Sequence, residues 1–196
     1  MPAVSADAFR AARALACLSE RDVERLTGIS RSSLEACEAG LPVAARTIDR
    51  LLDFYAAIGI EFLGWVSLTT NYEYRAGARW RPPGEPDRME PEAARNDDRW
   101  LPFAAARAML RGWDQETAAE QAGLSRRQVE HLEAGGPSTK QSRHWLRVMY
   151  ESRGIEFLGA IANGRVVGAG VRRTSLADPI FWSDILARDA GRTDAD

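Results

Sequence analysis

Arg126, Arg127, Gln128 and His131 crowd one short stretch of the chain, and their types suit the reading of base edges. An arginine offers two parallel donors that match guanine O6 and N7, and a histidine ring can donate or accept. Gly136, Ser138, Thr139, Lys140 and Gln141 follow closely and supply backbone and side-chain donors of the kind that hold phosphate. Earlier in the chain Arg31, Ser32, Ser33 and Ala36 offer a poorer set: one long donor, short hydroxyls and a methyl. The competing reading makes the charged residues the solvated face of a structural helical hairpin. Catalytic chemistry finds no constellation. His131 and His144 fall on separate predicted helices without cysteine or carboxylate at metal-ligand spacing, and Gly168-Ala169-Gly170 lacks the third glycine and following helix of a nucleotide fingerprint. No cofactor or metal is expected, and Gly168-Ala169-Gly170 reads as a kinked strand.

Two short helices must position the arginines. A helix opening at Gln115 closes at Gly123, which tolerates the left-handed conformation, and Ser125 caps a second helix running to about Glu133. Ala118, Ala119, Ala122, Val129 and Leu132 give the pair an apolar inner side, so the unit reads as a helix-turn-helix with Arg126, Arg127, Glu130 and His131 outside. The first half carries the same signals. Ser5 caps a helix to about Cys17, Ser19 with Asp22 resembles a capping box for a helix ending at Thr27-Gly28, and Ser30 starts one from Arg31 to Glu38. A fourth, from Ala44 to Ala57, puts Ile48, Leu51, Leu52 and Tyr55 on one face. Strand-like stretches then follow at Trp65–Thr69 and Tyr72–Trp80, with Thr70-Asn71 between them.

The pattern repeats. Gly28 and Gly123, Gly40 and Gly135, and Gly59 and Gly154 are each 95 residues apart, and Gly-Ile-Glu-Phe-Leu-Gly occurs at both 59–64 and 154–159. We read this as an internal duplication, two copies of one helical module rather than one large core. In the second copy Trp100–Arg111 is the first helix, Asp114 caps the second, Ser138 or Thr139 caps the fourth, and Asn163-Gly164 turns a hairpin between Phe157–Ala162 and Arg165–Arg173. Two isolated hairpins would be marginal in water, so they are expected to pair with each other or with a second chain. The expected organisation is a first module over 1–81, an acidic proline-rich linker over 82–99, a second module over 100–173 and an acidic tail over 174–196.

A net charge of −2 hides a segregation that bears on nucleic-acid binding. Residues 101–173 carry 11 basic and 7 acidic side chains and residues 8–81 carry 10 and 9, whereas the excess acid lies in the linker and tail. Neutral-to-basic modules with acidic connectors suit modest binding to phosphates. The chain holds no run apolar enough to span a membrane and no signal-peptide pattern, and the expected location is the cytoplasm, beside the nucleoid. Cys37 reads as a small buried hydrophobe and Cys17 as a free thiol at a helix end, a disulfide or metal pair being the alternative.

Gly112-Trp113-Asp114-Gln115-Glu116, Ala119, Gly123-Leu124-Ser125 and Glu133-Ala134-Gly135-Gly136-Pro137 together resemble the Cro/cI-type helix-turn-helix family, also called XRE-like. The resemblance covers roughly 8–64 and 101–159. It implies a mainly α fold: two four- or five-helix domains, here each followed by a β-hairpin, in bacterial or phage regulators that bind double-stranded DNA as dimers. Carried over by position, it implies that Gln115 meets a phosphate and that Ser125, Arg126, Arg127, Gln128 and His131 lie on the reading helix. It also implies a structural pair between Arg13 and Glu38, with Arg107 one residue out of register for the matching pair with Glu133. The first copy departs at Glu20, an acid where a phosphate contact is expected, and at Glu24, which replaces a small residue. The alternative function is a protein-interaction module, an antirepressor or co-regulator, supported by Glu20, Glu24 and the acidic tail. Phe181, Trp182 and Ile185 within Pro179–Leu186 mark a short apolar segment that docks on its own domain or on a partner.

Overall fold

The computed structural model describes residues 4–66, 73–82, 101–162 and 165–174. The first half holds helices α1 (Ala6–Leu15), α2 (Glu20–Thr27), α3 (Arg31–Ala39) and α4 (Ala45–Ala57), then strands β1 (Ile60–Val66) and β2 (Glu73–Trp80). The second holds α5 (Phe103–Met109), α6 (Gln115–Ala122), α7 (Arg126–Glu133) and α8 (Lys140–Ser152), then β3 (Ile155–Ala162) and β4 (Arg165–Arg173). The caps explain most boundaries. Ser5, Ser19, Ser30, Asp114, Ser125 and Thr139 each accept a hydrogen bond from a backbone N–H of the first turn, satisfying a group the helix itself leaves unpaired.

The expected mainly α description needs correction, because the strands form one antiparallel sheet in the order β1-β2-β4-β3 and the fold mixes helices with that sheet. The two hairpins pair with each other through β2 and β4. Strand β1 starts at Ile60 rather than Trp65, and β3 at Ile155 rather than Phe157. The reason is alternation: Ile60 and Ile155 are fully buried, with Phe62 and Phe157 packed on the same core, while Glu61 and Glu156 point to arginines on the neighbouring strands. Helix α5 is shorter than the expected Trp100–Arg111, since Leu110 already takes an extended conformation. The Thr70-Asn71 and Asn163-Gly164 turns and Trp100 lie outside the described residues.

Each half packs its own aromatic triad. Phe62 meets Phe9 and Tyr55 at centroid distances of 5.2 and 5.7 Å; Phe157 meets Phe103 and Tyr150 at 5.6 and 6.3 Å. The core does not stop at the boundary between halves. Helix α1 packs on α5, the two bury the small Ala8, Ala11, Ala12, Ala105 and Ala106, and a single apolar cluster runs through both halves in place of two separate cores. Asp7 and Arg10 fasten the junction from the first half: Arg173 Nε donates to Asp7 Oδ2 at 3.0 Å, and Arg10 Nε donates to the Ala108 carbonyl at 2.7 Å. Arg10 and Arg173 both also donate to the Met109 carbonyl, placing two cations at the carbonyl end of α5.

Burial pushes the Tyr55 and Tyr150 hydroxyls far above the ordinary tyrosine range, and Glu38 and Glu133 push in the same direction. A folded value above the unfolded one means that this stabilisation is complete below about pH 10 and is lost as the pH rises further. In an alkaline spectrophotometric titration, two of the four tyrosines should therefore ionise together with unfolding. Gradual titration of all four in a chain that keeps its helical signal would contradict this.

The β2–β4 register is unchanged when the strands trade places: Gly77 faces Arg172, Ala78 faces Val171 and Arg79 faces Gly170. Both glycines are required by proximity. A Cβ on Gly77 would lie 2.6 Å from Arg172 Cα, and one on Gly170 would lie 2.6 Å from Arg79 Cα. Gly168, at φ +65°, lies beside Pro82, so Gly168-Ala169-Gly170 belongs to a strand shaped for close approach by its neighbours.

Candidate nucleic-acid interface

The α6–α7 turn is built from residues that leave little freedom. Gly123 closes α6 at φ +65°, the Leu124 N–H donates to the Ala119 carbonyl at 2.9 Å, and Ser125 opens α7. Ser125 and Gln128 form a reciprocal capping box, in which the Ser125 N–H donates to Gln128 Oε1 at 2.8 Å. Gln128 also donates to Ser142 Oγ at 3.3 Å, which ties α7 to α8. Ala118, Ala119, Val129 and Leu132 are buried, as the inner face requires.

Arg126 and Arg127 are exposed in the first turn of α7 and make no hydrogen bond or ion pair with any described residue. Exposed Lys140 likewise has no such partner at the start of α8. His131 is half-buried, one turn further along α7. Ser138 and Thr139 are committed internally: Arg143 donates to the carbonyl and hydroxyl of Ser138 at 2.9 and 2.7 Å, and Thr139 caps α8. Gln115, read from the sequence as a phosphate donor, turns inward and donates to Glu133 Oε2 at 2.9 Å.

Glu133 is the hub that holds this face. Arg107 Nε and Nη2 reach its two oxygens at 2.6 and 3.0 Å, a bidentate pair that raises the arginine further above its ordinary range. Arg13 and Glu38 do the same in the first half, at 2.6 and 2.7 Å. Arg13 and Arg107 are 94 residues apart, whereas the caps Ser19 and Asp114 are 95 apart. One extra residue before Asp114 absorbs the difference, so the register mismatch in the sequence does not prevent the pair. Phe9 and Phe103 share the 94-residue offset, and that was the signal available in the sequence.

The first half presents a different surface. Arg31 is exposed but lies 3.4 Å from Glu20 and 3.6 Å from Glu35. Ser32 is exposed, Ser33 and Ala36 are half-buried, and Ser30 gathers the hydroxyls of Ser32 and Ser33 at 3.1 and 2.9 Å. Its candidate cation is thus partly neutralised by the protein, while the arginines of α7 meet no carboxylate among the described residues. Phe181, Trp182 and Ile185 lie outside the described residues. Cys37 is buried and Cys17 exposed, both free. Among the described residues no group of three or more histidine, cysteine or carboxylate side chains could hold a metal, and no helix is long and apolar enough to cross a membrane. No protein-family model, curated protein or solved structure gives a match to this chain.

Proposed function

We propose that the chain is a sequence-specific double-stranded-DNA-binding transcriptional regulator of the Cro/cI type, in which α7 dominates base readout. The observation that carries this reading is the pair of arginines, Arg126 and Arg127, that have no partner among the described residues, on the outer side of a helix held by a capping box and by the Arg107–Glu133 pair. Rigid placement matters because a base edge is read only by donors that arrive at fixed spacing. In the same reading the halves are two copies of one unit, supported by the repeated order of four helices and two strands and by the exchangeable β2–β4 register. A single chain then stands in for the dimer, presenting α3 and α7 to successive major-groove faces about 34 Å apart on the DNA.

An interaction module without DNA is the second reading, and the Glu20–Arg31 pair favours it for the first half. Anisotropy titration of a labelled random duplex separates the two. DNA binding should weaken steeply between about 50 and 200 mM salt, because phosphate contacts release counterions. Absence of binding at low salt would remove the DNA reading and leave the interaction module. A genome-wide map of bound sites would then identify the operator.

A further inference from the structure

We propose that the chain's own C-terminal segment, Pro179–Leu186, docks in a groove between α6 and α8. The groove is open to solvent, has a volume of about 500 Å³ and is lined by Trp145, Val148 and Met149 of α8, by Gln121 and Ala122 at the end of α6, and by Arg153. Trp145 and Val148 are 44% and 43% exposed, an unusual state for large apolar side chains side by side on one helix. The equivalent place in the first half is occupied. There Arg50 stands 95 residues before Trp145, donates to the Thr27 carbonyl and lies 3.3 Å from the position of a Gly28 Cβ; among the described residues nothing lies within 4 Å of the same position at Gly123. The open groove therefore belongs to the half from which the tail departs.

Chain length and direction identify the occupant. The last described residue, Thr174, donates to the Gly154 carbonyl at 2.9 Å, and Gly154 directly follows Arg153 on the groove wall. Four residues separate Thr174 from Pro179, a reach of roughly 17 Å for extended chain. In the segment itself Phe181, Trp182, Ile185 and Leu186 recur at helical spacing, which gathers one apolar face. Residues 175–196 carry five aspartates against two arginines, while the groove wall contributes the cation Arg153 and no carboxylate, so the charges are complementary. A short tether also raises the local concentration of the segment to the order of millimolar, enough for a modest apolar contact to hold it. The inference stands whether or not the partner of α7 is DNA.

Hydrogen exchange on the full chain tests it. Amides of 180–186 in the wild type should exchange at least about tenfold more slowly than in the same sequence as a free peptide. Val148→Asp, at a half-exposed position outside the core, should bring those rates to within about twofold of the peptide, as should Trp145→Gln. Tenfold dilution should change nothing. Peptide-like rates in the wild type would overturn the proposal, and so would protection that survives both groove substitutions, since the tail would then dock elsewhere. Protection that fades on dilution would assign the groove to a second copy and overturn it equally.

Discussion

Joint replacement of Arg126 and Arg127 by alanine should abolish sequence preference on one side of the bound site and cost more affinity than any other pair of surface substitutions. Both guanidiniums are exposed and make no ion pair with a described residue, so no internal contact need be broken to engage a base. Each bidentate arginine–guanine pair carries about 1–3 kcal/mol of discrimination. Arg31→Ala should lose far less, because Glu20 at 3.4 Å and Glu35 at 3.6 Å compete for that cation. Neither arginine of α7 takes part in a cap, so Tm should stay within a degree or two of wild type. Selection of bound sequences from random duplexes, run for each variant at one salt concentration, measures the comparison. Equal losses at Arg31 and at the α7 pair would refute the asymmetry.

Alanine at Gly77 or Gly170 should cost about 3 kcal/mol or more, because the added methyl has no low-energy place to go. At both positions the new carbon would meet the backbone of the facing strand at 2.6 Å, and backbone in a paired strand cannot turn aside as a flexible side chain can. The expected response is local separation of β2 from β4 together with a lowered Tm. Gly135→Ala serves as the control: at φ +69° with nothing among the described residues within 4 Å, it should cost only the left-handed strain, about 1–2 kcal/mol. Calorimetry gives the difference, and exchange at β2 and β4 amides locates it. Losses at Gly77 and Gly170 no larger than at Gly135 would falsify the close-approach argument.

The helices were readable because their signals are local. Ser19, Ser30, Asp114 and Ser125 act within one turn, and Gly28 and Gly123 close their helices where the chain must turn left-handed. The sheet was only half readable. Alternation marked the hairpins, but their pairing depends on contacts between residues 77–79 and 170–172, which no local pattern encodes. Gly77 and Gly170 carried a hint, since a glycine within a strand marks close approach, yet it could not name the neighbour. At the candidate interface residue types were legible and their commitments were not. Gln115, Ser125, Gln128, Ser138 and Thr139 all have side-chain donors suited to phosphate, and the fold engages each of them in internal hydrogen bonds. Arg107 shows the reverse case, a residue one place out of register that still reaches Glu133 because a turn took up the extra residue.

The exchangeable register of β2 and β4 bears on synthesis. Both strands of the first hairpin, β1 and β2, are synthesised within the first half, but the other edge of β2 must wait for a strand about 95 residues downstream. During that interval Gly77-Ala78-Arg79 presents open hydrogen-bonding groups, and their best available match is the same edge on another nascent chain. Gly77 would face Arg79 of the neighbour and Ala78 would face Ala78, much as they face Arg172 and Val171 in the finished protein. Transcripts read by closely spaced ribosomes would thus favour strand-exchanged pairs, and slow or crowded translation is where the native hairpin contact meets its strongest competitor.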